Sequence, residues 1–280
     1  MFLKIDFVKN SPKIFGVDFS GAVDAGLKIW VASGVVRDGE VEVKNCCKGA
    51  TIPDSGRELR QCLGALRNFI ANAGSTVFGL DFPFGLPSPI LARLNCQNWH
   101  EFLQSFPERF PSPDAFRTIC RELGGPHELK RTTDRESLTP FSPYNLRLYK
   151  QTYFGISQIL RPLVLEGSVC VLPMQDPIDR KPWLVEICPR STLIRENFTN
   201  IPYKKAKYRN NRERLLNYLM DNKLALANNI LKDAILDNSS GDALDSVIAL
   251  FATFRALRQP SFPFPDGRTE EFVLEGYVYL

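Results

Sequence analysis

The chain contains only two histidines, His100 and His127, and no two of its seven cysteines form a Cys-x-x-Cys pair. Structural and catalytic zinc sites draw on closely spaced histidine and cysteine ligands, so the sequence argues against one. No apolar run approaches the ~20 residues of a membrane-spanning helix. The opening MFLKIDFVKN mixes charges into a very short apolar segment and lacks the layout of a signal peptide. These absences lead us to expect a soluble, cytoplasmic protein with reduced thiols, among them the adjacent Cys46 and Cys47, which a strand would point to opposite faces. A large excess of one charge is also missing: the net charge is +4, so the molecule as a whole is no polycation. There is no internal repeat, no low-complexity tract, no Walker-type phosphate loop and no coenzyme-binding fingerprint. What is present is 280 residues, 44% of them hydrophobic, enough to bury a sizeable core in one domain spanning 1–280.

The chain is organised around Lys13 to Gly21, KIFGVDFSG. It reads as a first strand that carries one acid, Asp18, near its end. An isolated carboxylate in a buried strand is costly unless it finds a cation, a hydrogen-bond network or a metal. Leu27 to Val36 and Glu40 to Cys47 follow as strands joined by the turn Arg37-Asp38-Gly39, which suggests an antiparallel meander. Arg57 to Ala73 is helical in pattern, with Leu59, Leu63, Leu66 and Ile70 on one face, a Ser55/Glu58 capping box and Gly74 as its stop. Thr76 to Phe82 is a fourth strand, carrying Asp81. A crossover helix before this strand argues for parallel pairing with the first, which would set Asp18 and Asp81 side by side at one sheet edge.

Residues 88–167 read as an irregular, partly helical insertion capping that edge. Helices are expected near Asn98 to Phe106, Asp114 to Leu123 and Asn145 to Leu165. Arg131, Arg135, Arg147 and Lys150 lie in this segment as phosphate-binding candidates, or as partners of Asp134 and Glu136 in surface ion pairs. Ser168 to Pro173 and Trp183 to Cys188 are strands, the second carrying Glu186. Tyr203 to Arg214, YKKAKYRNNRER, contributes Lys204, Lys205, Lys207 and Arg209 interleaved with tyrosines. That pattern suits a phosphate backbone and stacked bases, and equally a solvated helix start. Arg212 to Met220 and Lys223 to Leu236 read as helices. Gly241 to Leu257 is a further helix, with Leu244, Val247, Ile248, Phe251 and Phe254 on a large apolar face. A narrow opposite face holds Asp242, Asp245, Ser246, Ala249 and Thr253. EGYVYL, Glu275 to Leu280, reads as a last short strand.

Asp18, Asp81, Glu186, Asp242 and Asp245 are therefore the candidate catalytic residues. Asp18, Asp81, Asp242 and Asp245 are the candidate ligands for Mg²⁺ or Mn²⁺, which favour oxygen donors. Each acid also has a structural reading. Asp18 and Asp81 suit turns, Asp242 suits a helix start, and Glu186 suits a pair with Arg190 or with the insertion.

Together, GVDFSGA, GLDFPFGLP, the TDR…FSPYNLRLYKQTYFG block, VLPMQ, VEICPRSTL and GDALDSVIALF resemble the predicted-nuclease family catalogued as domain of unknown function 429. The resemblance runs from about Lys13 to the EGYVYL tail. It implies an α/β fold of the ribonuclease H-like class: a mixed five-stranded sheet flanked by helices, with a long insertion after the fourth strand. It further implies that Asp18, Asp81 and Asp242 or Asp245 are the superfamily's acids, with Glu186 matching the family's E-x-x-P acid. The first helix offers only Glu58, near its start, so the helix acid of ribonuclease H itself is missing. This points away from RNA–DNA hybrid cleavage and towards a resolvase-like arrangement. The expectation is a metal-dependent nuclease acting on DNA or RNA. The alternatives are a non-catalytic nucleic-acid or protein-binding module and, on the analogy of sugar kinases and actin-like ATPases, a nucleotide hydrolase or phosphotransferase.

Overall fold

The computed structural model describes residues 12–265 and 269–280; the opening MFLKIDFVKN lies outside them. The chain forms a mixed α/β structure. Its strands are β1 (Lys13–Asp18), β2 (Trp30–Arg37), β3 (Glu40–Lys48), β4 (Thr76–Leu80), β5 (Cys170–Leu172), β6 (Trp183–Ile187), β7 (Leu224–Leu226) and β8 (Val278–Tyr279). They make one sheet in the order β5-β6-β4-β1-β2-β3-β7, with β8 pairing β6. β1, β2 and β3 are an antiparallel meander, and β4 lies parallel to β1 after the crossover helix Leu59–Ala71.

The sheet has eight strands, against the five that the resemblance implied and the seven read from the sequence. β7 accounts for one correction, because Lys223 to Leu236 is not a single helix. Leu224–Leu226 adds to the edge of β3, and the helix starts only at Asn229, capped by the Asn228 side chain. The Ser55/Glu58 capping box is also absent: Glu58 is the exposed N-cap residue and its side chain makes no capping bond. Residues 88–167 form the short helices Ser88–Arg93, Trp99–Arg109, Pro113–Gly124 and Thr132–Glu136. A longer helical run follows from Tyr149 to Leu165, widened to a π-helix over Gly155–Leu160. No helix among the described residues is long and apolar enough to cross a membrane.

Alternation along the strands divides the core between the two sheet faces. Phe15, Val17, Phe78, Leu80 and Leu184 face the crossover helix and the 88–167 segment, whose Phe102, Phe106, Phe110 and Phe116 complete that core. Ile14, Val77, Trp183, Val185 and Ile187 face the other way, onto the helices Arg209–Asp221, Asn229–Asp237 and Asp242–Arg258.

The helix Asp242–Arg258 lies against the sheet centre through its narrow small-residue face. Gly16 and Gly79 stand opposite each other in the β1–β4 register. A Cβ on Gly16 would collide with the helix backbone at Ser246 and Leu250, and one on Gly79 with Thr253. Gly16→Ala is therefore expected to lower the unfolding free energy by about 3 kcal/mol, since overpacking against backbone cannot relax by a rotamer change. Gly64→Ala, in the crossover helix with open space around it, is expected to raise it by about 0.5–1 kcal/mol. Urea unfolding of the two variants beside wild type measures both.

Candidate functional site

Asp18 is the last residue of β1, and Asp81 follows β4 directly, with its amide donating to the Val17 carbonyl at 3.0 Å. Both continue the alternation of Gly16 and Gly79, so both side chains rise on the face covered by the helix Asp242–Arg258. The helix presents its first turn there. Gly241 enters it in the left-handed region (φ +85°), and the Asn238 side chain accepts from the Ala243 amide. Asp242 and Asp245 then sit at the positive end of the helix dipole. The result is a convergence of three carboxylates: oxygens of Asp18, Asp242 and Asp245 lie within 4.8 Å of one another.

Asp245 is the most enclosed of the three, at 2% exposure. One of its oxygens accepts from the Tyr203 hydroxyl at 2.8 Å, the other from Lys204 Nζ at 2.6 Å. Burial and the neighbouring carboxylates, Asp245 first, hold Asp18 well above the usual carboxylate range. Burial followed by repulsion from Asp245 pushes Asp81 up to about 8. Burial raises Asp245 as well, against the opposing pull of Lys204. The Lys204 ammonium is held above its ordinary value chiefly by Asp245. One lysine thus faces four acids, and an all-oxygen donor set of this kind suits a hard divalent cation.

Beside the acids opens a cleft of about 390 Å³. Asp81, Asp245 and Lys204 form its inner wall, and Phe141, Arg147 and Arg190 lie further along it. The Arg147 guanidinium sits over the Phe141 ring, 5.4 Å from its centre.

Asp81, expected as a fourth metal ligand, lies outside the three-carboxylate convergence, and so does Glu186, although both line the cleft. In β6 Glu186 alternates with Val185 and Ile187, so its side chain leaves the sheet on the opposite face. There it accepts from Arg131 Nη1 and Nη2 (2.8 and 2.5 Å) and from the Phe84 amide (2.8 Å). Burial still raises its pKa, against the pull of Arg131. Arg131 is itself 1% exposed, with its remaining donors on Asp134 and the Glu275 carbonyl. All five of its N–H groups are used within the protein, so it has none to offer a phosphate. Glu275, expected to open the last strand, instead ends the helix Glu270–Glu275, and its carboxylate accepts from the amides of Ser88 and Thr132, tying that helix to the 88–167 segment.

The remaining predicted cations separate into two groups. Arg147 and Lys204 border the cleft. Arg135 donates to the Lys130 carbonyl and Thr132, and Arg209 pairs with Asp237 and Asp233. Lys150 and Lys207 are exposed, near the rings of Tyr149 and Tyr208, and Lys205 is exposed too. None of these five lines the cleft. Tyr203, read as a stacking residue, is instead buried on Asp245, and Arg190, read as a partner for Glu186, donates to the Thr199 carbonyl. Sequence reasoning missed Arg212, a buried guanidinium within the basic run, and Glu275; only an acid before a glycine in an apolar tail marked the second. The seven cysteines are free.

No family model, no curated protein and no solved structure matches the chain significantly.

Two predictions follow from the charges. Asp18, Asp81 and Asp245 hold protons more tightly in the folded than in the unfolded chain. Their contribution to stability is therefore greatest below the ordinary carboxylate range and is lost as pH rises towards about 8. In chelator, the thermal midpoint should fall between pH 5 and pH 8, and Asp81→Asn should flatten that slope; scanning calorimetry across the range measures it. Arg131→Leu should cost about 3–5 kcal/mol in urea unfolding at pH 7, because it strands Glu186 and Asp134 without their cation.

Proposed function

We propose that the chain is a metal-dependent nuclease of the ribonuclease H-like class, related to the predicted-nuclease family that its motifs resemble. The observation that carries this reading is the convergence of Asp18, Asp242 and Asp245 within 4.8 Å at the sheet edge, beside an open cleft bordered by Lys204, Arg147 and Arg190. The strand order supports the fold part of the reading. An antiparallel β1-β2-β3 meander, a helical crossover and a parallel β4 beside β1 are the elements that the class implies, with β6 as the fifth core strand.

Asp18, Asp242 and Asp245 would hold Mg²⁺ or Mn²⁺. When bound, the ion supplies Lewis-acid stabilisation of phosphate oxygens and a more acidic water. Asp81 lines the cleft beside the group and would accept the attacking water's proton above about pH 8, or lower once a bound cation offsets its neighbours' charge. The reaction adds one water across a phosphodiester. The water oxygen bonds to phosphorus, the bond to the leaving oxygen breaks with its electron pair, and that oxygen is protonated. Phe141 and Arg147 offer a flat, cationic wall on which an unpaired base could stack. That wall favours a nucleic acid that presents an unpaired strand.

The test is a panel of labelled single- and double-stranded DNA and RNA, a hybrid and a branched junction, incubated with Mg²⁺ or Mn²⁺. Wild type should cleave members with unpaired strands. Asp18→Asn should lose at least about 100-fold in rate while still binding them. Equal cleavage by both proteins would assign the activity elsewhere. Binding without cleavage by either would make the chain a binding module.

A further inference from the structure

The segment that carries Lys204 is held in place from several directions. Arg212, 1% exposed, donates through Nη1 to the carbonyls of Tyr203 and Lys205 (2.7 and 2.8 Å) and through Nε to the Leu236 carbonyl (2.7 Å). A buried guanidinium is thereby committed to the two carbonyls that flank Lys204. The Lys205 amide donates to the Ser239 carbonyl at 2.7 Å, and Lys205 itself stands at φ +136°, a strained conformation for a residue with a side chain. Gly241 closes the arrangement from the helix side. A Cβ there would come within 3.1 Å of both Lys204 Cγ and the Tyr203 ring.

This scaffold delivers one atom. The Lys204 side chain is 56% exposed along its length, yet its Nζ lies 2.6 Å from Asp245 Oδ2. The partner Asp245 is buried, yet a flexible lysine could supply its counter-ion without a buried arginine and a strained residue to fix it. Its position relative to the acids supplies a reason. Lys204 lines the cleft together with Asp81 and Asp245, whereas Asp18 and Asp242 do not. Two-ion phosphodiester enzymes hold their ions about 3.5–4 Å apart, an arrangement commonly bridged by a shared carboxylate. Here Asp245 belongs to both groups: it joins Asp18 and Asp242 in the three-carboxylate convergence, it lines the cleft with Asp81, and its Oδ2 accepts from Lys204.

We infer that Lys204 is the second cation of this site: one divalent ion serves the chain, and the Lys204 ammonium stands where a two-ion enzyme carries its other metal. The inference rests on the hydrolase reading above and adds a catalytic residue to it. Lys204 remains an ammonium throughout. It donates N–H bonds to a non-bridging oxygen of the scissile phosphate as negative charge builds there, while the water added and the bond broken are those already given. The arrangement also favours a substrate whose phosphate reaches the ammonium from the open cleft, with its unpaired base against Phe141.

The experiment counts Mn²⁺ on the full chain without nucleic acid, by calorimetric titration and by electron paramagnetic resonance, and then measures cleavage. Wild type and Lys204→Arg should each bind one Mn²⁺. Lys204→Ala should admit a second, with a spin-coupled signal, and should lose at least about 100-fold in kcat with little change in KM. Two ions bound to wild type would overturn the inference and leave the hydrolase reading standing. Undiminished cleavage by Lys204→Ala would also overturn it, reducing Lys204 to a counter-ion. No Mn²⁺ bound by wild type would remove the metal reading, and this inference with it.

Discussion

The structure depends on how closely one helix approaches one sheet. Helix Asp242–Arg258 rests on Gly16 and Gly79, and larger residues at either position would drive it outwards. Close packing of this kind transmits displacement instead of absorbing it. Both glycines lie two residues before an acid, in Gly-Val-Asp and Gly-Leu-Asp, so the seat of the helix and the carboxylates are set by the same stretches of chain. The depth at which the helix sits decides whether Asp242 and Asp245 reach Asp18.

The molecule keeps two polar systems apart by the alternation of strand residues. On the helix face, acids outnumber cations, and burial with mutual repulsion holds Asp18, Asp81 and Asp245 above the ordinary carboxylate range. On the opposite face, Arg131 meets Glu186 and Asp134 with every donor satisfied. Both border the cleft; the first is electrostatically unfinished, whereas the second has its charges paired and its donors satisfied. They lie a few residues apart in the same sheet, and only the side on which each side chain leaves its strand separates them.

Much of this was legible in the sequence. Strand alternation and the crossover helix gave the meander, the β1–β4 pairing and the meeting of Asp18 with Asp81. The two acids on the final long helix followed from their three-residue spacing. Glu186 was misplaced among the cluster because an acid in an apolar strand says nothing about which face it leaves from until the register against β4 is known. The basic run was misread for a related reason. Composition could not distinguish Lys204, held on Asp245, from Lys207 in solvent, or reveal that Arg212 and Tyr203 turn inwards. β7 was hidden because three apolar residues before a helix carry no periodicity of their own.

The Glu275 carboxylate caps two amides, Ser88 and Thr132, that precede it by well over a hundred residues, and its carbonyl receives Arg131. Protein synthesis runs in one direction, so these donors leave the ribosome long before their acceptor. Until residue 275 emerges, Arg131 lacks part of its shell and β6 lacks its β8 neighbour. The three-carboxylate group is likewise incomplete until the chain passes residue 245. A nascent chain can thus hold most of the sheet while the carboxylate centre is still unassembled.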